Sequence, residues 1–173
     1  MEVRAGNAVR AGTLYLVATP IGNLRDITLR ALDVLAGVDL VLAEDTRHSR
    51  KLLSAYGIAT RLVSCHEHNE ETRAQEVMAR LAAGESAALI SDAGTPSVSD
   101  PGYRLVNAAI TSGRPVVPVP GASSILAALA ASGLPTDRFT FLGYVPRKET
   151  ERRRFFGEIA SLAGTAVVFE APH

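Results

Sequence analysis

The chain has 173 residues, 47% of them hydrophobic and 21% charged, and its 18 basic and 18 acidic side chains balance to a net charge of zero. By the usual ~100–200 residues per domain this is one domain, or one domain and part of another, and it can bury a core without disulfide or metal staples. Composition excludes low-complexity disorder, collagen-like repeats and a disulfide scaffold, and the charge balance removes any global pull toward nucleic acid or membrane, leaving only local patches.

Residues 1–11 carry two arginines and no apolar core before a cleavage site, so they read as a disordered lead-in rather than a signal peptide. Thr13 to Thr19 is an unbroken apolar and β-branched run that ends in the loop Pro20-Ile21-Gly22-Asn23. A run without alternation predicts a strand covered on both faces, as in a parallel sheet. Asp26 is then expected to cap a helix from about Ile27 to Ala36. Val38 to Ala43 predicts a second strand, Ser49 to Tyr56 a short helix closed by Gly57, and Arg61 to Cys65 a third strand. Asn69 is expected to cap the next helix, where Ala74, Val77, Met78, Leu81 and Ala82 form one apolar stripe before Gly84. Ser86 to Ser91 predicts a fourth strand, and a turn-rich loop spans Asp92 to Gly102. A helix over Tyr103 to Thr111 and a strand over Pro115 to Val119 follow. Pro120-Gly121-Ala122-Ser123 then opens a helix from Ser124 to Ala131.

Strands alternating with helices predict an α/β fold with a mainly parallel sheet over 12–120. Beyond Pro135 the texture changes. Phe139 to Val145 alternates like a strand with one open face, and Glu149 to Leu162 predicts an amphipathic helix with Phe155, Phe156, Ile159 and Leu162 inward and Arg152 to Arg154 outward. Thr165 to Phe169 predicts a last strand. So small a strand–helix–strand piece covers its own sheet poorly, so residues 121–173 are expected to be the start of a second, truncated α/β domain. The lone Cys65 has no internal partner, which fits a reducing, cytoplasmic setting, and no apolar run approaches the ~18 residues of a spanning helix, so no membrane partner is expected.

Ligands of open parallel α/β sheets bind beyond the carboxyl ends of the strands. Four loops at such ends are rich in glycine, proline and short polar residues: 19–23, 44–47, 92–102 and 120–124. Glycine admits close backbone approach, and a helix N-terminus offers free N–H groups to a carboxylate, phosphate or ribose hydroxyl. Ordinary turn chemistry is the plainer explanation of any one such loop, though less so of four on one rim. No dinucleotide fingerprint, P-loop or nucleophile elbow is present. His66-Glu67-His68 is not the H-E-x-x-H zinc pattern and reads better as a polar strand exit, so no metal is expected. Two basic clusters occur, Arg47-His48-Arg50-Lys51 and Arg147-Lys148 with Arg152 to Arg154. Either is a solvated helix face or a phosphate-contacting rim for RNA, and zero net charge favours the former.

The stretches 18–28, 43–47, 66–70, 91–96 with Asp100-Pro101-Gly102, 119–124, 141–148 and 169–173 together resemble the bacterial ribosomal RNA small subunit methyltransferase I family, in order from residue 12 to 173. The resemblance implies a tetrapyrrole-methylase-like fold of two α/β domains, with S-adenosyl-L-methionine in the cleft between them and a homodimer as the usual assembly. It implies methyl transfer to a cytidine ribose 2′-oxygen of small-subunit ribosomal RNA. Relatives that modify tetrapyrroles usually carry a G-x-G-P-G-D-like loop after the first strand, and Thr19-Pro20-Ile21-Gly22-Asn23 departs from it, which favours the RNA branch. By resemblance, Pro20, Gly22, Asp92, Gly94, Thr95, Gly121, Ala122, Ser123 and Ser124 would hold the cofactor, and Leu142 would wall its adenine. Asp45 is the candidate base, Arg47 would place a phosphate and His48 is the second candidate, while a helix cap explains Asp45 equally well. A tetrapyrrole methyltransferase and a nucleotide-binding module without catalysis remain the alternatives.

Overall fold

The computed structural model describes residues 9–171, so the expected lead-in falls largely on residues 1–8, outside the described residues. The chain divides into two compact units, one up to Ser123 and one from Ser124 onward.

The first unit alternates strand and helix: β1 (Leu14–Val17), a 3₁₀ turn (Leu24–Asp26), α1 (Leu29–Gly37), β2 (Leu40–Ala43), α2 (Thr46–Ala55), β3 (Leu62–Ser64), α3 (Glu70–Ala82), β4 (Ala87–Ile90), α4 (Tyr103–Thr111) and β5 (Val116–Val119). The strands form one sheet in the order β3-β2-β4-β1-β5, and every pairing is parallel. Parallel strands need crossovers, and these put apolar cover on both faces of the sheet. One core holds Tyr15, Val17, Val41, Ala88 and Ile90 against Val34 and Leu35 of α1 and Leu53 of α2. The other holds Leu14, Leu40, Leu42 and Leu89 against Val77 and Leu81 of α3 and Leu105 of α4. Successive strand residues therefore enter opposite cores, which is why the strands read as unbroken apolar runs. Each fully buried leucine or valine contributes about 2 kcal/mol.

The helix starts differ from those expected. Asn23, not Asp26, caps the 3₁₀ turn, and Thr28 caps α1 by accepting the Ala31 N–H at 3.1 Å. Asp26 is already inside the turn, too early to reach α1's free N–H groups. Helix α2 begins at Thr46, earlier than expected, because Asp45 caps it. Asn69 makes no side-chain cap to α3; its Oδ1 accepts the His66 N–H at 2.9 Å and so closes the turn before the helix instead. Ala82 is exposed at the last turn of α3, past the edge of the packed stripe.

The second unit contains α5 (Ser124–Ala131), β6 (Phe139–Tyr144), α6 (Glu149–Ala160) and β7 (Thr165–Phe169), with β6 and β7 paired in parallel. Strand β6 is half-buried through its middle rather than alternating, and Phe156 and Leu162 of the α6 region are exposed rather than inward. Phe155 and Ile159 alone of the expected inward set are half-buried, since they share one helical face while Phe156 lies to its side and Leu162 lies past the end of α6.

Candidate functional site

The carboxyl ends of β2, β4, β1 and β5 are neighbours in the sheet, so the turns that follow them share one edge. Hydrogen bonds lace them together. Thr19 and Gly94 exchange backbone bonds, Thr19 N–H to Gly94 C=O at 2.9 Å and the reverse at 3.1 Å. The Thr19 hydroxyl donates to the Ser91 carbonyl at 3.0 Å from a fully buried position. Gly94 takes φ 89°, a conformation that side chains other than glycine rarely adopt. On the other side of β1, Ala18 donates to the Val119 carbonyl at 3.2 Å. A Cβ on Gly121 would stand 3.0 Å from the Ala18 Cβ and 3.3 Å from its carbonyl oxygen, so glycine lets the 120–123 turn lie directly against the first one.

Pro20 and Gly22 after β1, Asp92, Gly94 and Thr95 after β4, and Gly121, Ala122 and Ser123 after β5 are thereby brought to one rim of the first unit. Ser124 begins α5 and Leu142 sits half-buried in β6, both in the second unit.

Asp45, Arg47 and His48 stand on the same rim, after β2. The Asp45 N–H donates to Asp92 Oδ1 at 3.4 Å, joining the β2 and β4 turns. Asp45 Oδ1 accepts the N–H of Arg47 at 2.7 Å and of His48 at 3.3 Å. These two backbone donors, with the Arg47 and His48 charges adding, hold the Asp45 carboxyl below the usual aspartate range. The Arg47 side chain is 93% exposed, with its Nε 3.8 Å from Asp45.

Two neighbouring carboxyls behave oppositely. Burial, then the charges of Asp92 and Asp100, push Glu44 above the usual glutamate range against an opposing influence from His66. Asp100 is also raised, by burial first and by Asp92 next, with a Ser91 hydrogen bond opposing. Glu44, Glu67, Asp100 and Tyr103 line a hollow of about 360 Å³ beside the rim. His66 Nδ1 is buried near it with no hydrogen-bond partner among the described residues. Asp100 was only part of a turn in the sequence, and Glu44 only one letter of a loop. Their raised proton affinity arises because turns from β2 and β4 meet, which no local pattern records. The histidines of 66–68 sit in the turn after β3, rings 6.0 Å apart, and among the described residues no group of three or more His, Cys, Asp or Glu could hold a metal.

Residues 13–173 match the family described as Tetrapyrrole (Corrin/Porphyrin) Methylases. The chain belongs to that family. Among curated relatives of this tetrapyrrole methylase, the "Ribosomal RNA small subunit methyltransferase I" of Pseudomonas aeruginosa is 54% identical over 94% of this chain and 58% of its own length. The protein of the same name from Escherichia coli O157:H7 is 49% identical over 94% of this chain and 57% of its own. The chain thus spans little more than half the length of these relatives. Among solved structures, uroporphyrin-III-C-methyltransferase from Thermus thermophilus is 28% identical, with TM-score 0.58 over 78% of this chain and 60% of its own. A diphthine synthase superposes with TM-score 0.71 over 93% of this chain and 65% of its own, at 19% identity, a likeness of fold. Among the described residues no helix is long and apolar enough to cross a membrane.

Proposed function

We propose that this tetrapyrrole methylase uses S-adenosyl-L-methionine to methylate a cytidine ribose 2′-oxygen of small-subunit ribosomal RNA. The observation that carries the first half is the lacing of the β1, β4 and β5 turns into one rim, with Gly94 supplying the left-handed backbone of the β4 turn and Gly121 letting the β5 turn lie against the β1 turn. The substrate half rests on the relatives, whose names specify small-subunit ribosomal RNA. The Thr19–Asn23 turn, unlike the glycine-rich loop of tetrapyrrole modifiers, supports the same choice.

The residues fit the cofactor. Its bound form supplies a methyl group on a positively charged sulfonium, and the rim places Asp92, Glu44 and Asp100 near one another, a negative field suited to a cation. Gly94, Thr95 and Gly121 to Ser123 would hold it through backbone and hydroxyl groups. Orientation is the main contribution asked of the protein. A ribose hydroxyl is a weak nucleophile and must lose a proton, so a base at the rim helps. Asp45 Oδ1 is engaged by two cap bonds, whereas Glu44 lines the open hollow beside the rim and is held more basic by partial burial and the charges of Asp92 and Asp100, so we place the proton on Glu44. Asp45 then fixes the start of α2, from which Arg47 meets a phosphate and His48 supplies a second contact. A homodimer belongs to the same reading.

Two measurements test this. Calorimetry of the chain is expected to detect S-adenosyl-L-methionine and not NAD or ATP; binding of the latter two alone would end the reading. Ribose-methylation mapping in cells lacking the gene should show one small-subunit cytidine unmodified, and restoring the gene should restore it. Restoration with Asp45→Asn should succeed, because asparagine also caps helices, while Glu44→Gln should lose ~10²-fold in transfer. The reverse pattern would return the base to Asp45.

A further inference from the structure

Beyond Arg47, helix α2 carries exposed charges that the methyl-transfer site does not use. Arg47, Arg50, Lys51 and Ser54 are spaced i, i+3, i+4 and i+7, which places them on one exposed stripe, opposite the buried Ser49, Leu52 and Leu53. The stripe runs from the rim away along the helix for ~10 Å at 1.5 Å per residue. It ends at a groove of about 440 Å³ whose lining includes Arg50, Ser54, Thr60 and Arg61 among apolar Ile58 and Leu62, with no carboxylate. The groove lies beside β3, which among the described residues is the edge strand of the sheet and pairs with β2. Among the described residues Arg50, Lys51 and Arg61 form no ion pair, whereas Arg47 at the head of the stripe pairs with Asp45.

At the start of α2 the Asp45 cap pairs with Arg47, whereas Arg50 and Lys51 lie a turn further along the helix. Two cations on that stripe, Arg50 and Lys51, leading to a carboxylate-free groove where Arg61 adds a third beside hydroxyl and apolar surface, are complementary to a polyanion that also presents flat apolar faces. Single-stranded RNA has that chemistry. We infer that the exposed face of α2 and the groove at its end form a second RNA-contacting track, which grips phosphates flanking the nucleotide at the rim. This rests on the RNA reading above and extends it to residues outside the reacting centre.

The test is fluorescence anisotropy of the full chain with a labelled single-stranded oligonucleotide of small-subunit ribosomal sequence, titrated across salt concentrations. Each lost phosphate contact should reduce the slope of log K against log salt by ~0.7. The double variant Arg50→Gln/Arg61→Gln is expected to lower the slope by ~1.4 and to weaken low-salt binding roughly tenfold. The Arg50→Lys/Arg61→Lys variant keeps both charges and should retain the parent slope. Cofactor affinity by calorimetry should be the same in all three proteins. RNA binding by the parent chain with an unchanged slope in the glutamine variant would overturn the track and leave the RNA reading standing. No RNA binding by the parent chain would overturn both.

Discussion

At the scale of single residues, carboxylates decide most of what distinguishes this chain, and each is tuned by what donates to it. Asp39, between α1 and β2, accepts the Ser86 N–H at 2.7 Å and the Ser86 hydroxyl at 2.8 Å, tying the entry of β2 to that of its neighbour β4. Those two bonds, backbone first, hold its carboxyl below the usual aspartate range. A depressed carboxyl stabilises the fold fully above its unfolded pKa of ~4 and loses that stabilisation as pH falls through the folded value. Asp39 is exposed, and solvent screening limits the contribution to about 1 kcal/mol. Asp39→Asn should therefore lower stability in urea at neutral pH by that amount, and the gap to the parent should close as the medium is acidified below pH ~4. A gap that stays constant with pH would show that ionisation of Asp39 has no part in it. Sequence spacing exposed the glycines and prolines of the rim because their chemistry is local to a turn. It could not separate Glu44 from Asp45, adjacent letters whose opposite proton affinities depend on partial burial and then the charges of Asp92 and Asp100 in one case and on the α2 backbone in the other.

At the scale of elements, the strands were legible and the helix starts were less so. Buried parallel strands write themselves as apolar runs, so β1, β2, β4 and β5 fall inside their expected ranges. A cap is a choice among several short polar residues, and tertiary contacts make the choice. Glu70 illustrates this. It opens α3, yet its buried Oε1 accepts the N–H groups of Gly102 at 3.1 Å, Arg104 at 2.7 Å and Leu105 at 3.3 Å, so it caps α4 from 32 to 35 residues away. Gly102 has no side chain with which to cap α4 itself. One carboxylate thus fastens the end of the 92–102 turn to α3 and fixes where the β4 side of the rim ends. Glu70→Gln retains one acceptor but loses the charge, and should cost ~1–3 kcal/mol in denaturant unfolding. Amide exchange at Gly102, Arg104 and Leu105 should quicken together. Unchanged exchange at these three amides would mean that the helix start holds without Glu70.

At the scale of the whole molecule, apolar burial is concentrated in the first unit. The fully buried side chains Leu14, Leu35, Leu40, Leu42, Leu81, Leu89, Ile90 and Leu105 all precede Ser124, and in the second unit Leu129 is the buried hydrophobic among the described residues. The first unit has two cores, one on each face of a five-stranded sheet. The second has a two-stranded parallel sheet whose β7 residues are all half-buried, with Phe169 packed edge-on to Phe141 at 4.8 Å and tilted against Tyr144 at 5.2 Å. Two-stranded sheets with one partial apolar face are marginal alone, and regions with few buried contacts open at lower free energy than a core. The two units should therefore differ in native-state hydrogen exchange. Amides of β1, β2 and β4 are expected to exchange through global unfolding, with a denaturant dependence equal to that of the equilibrium transition. Amides of β6 and β7 are expected to exchange faster, through an opening with a smaller denaturant dependence, because less surface is exposed when the second unit alone unfolds. Saturating S-adenosyl-L-methionine separates this local instability from the function proposed above. A ligand held by the rim protects β1, β2 and β4 by mass action, whereas β6 and β7 gain the same protection only if they take part in holding it. Equal exchange in both units without ligand would mean that they unfold as one cooperative body, and that the core of the first unit supports the second as well.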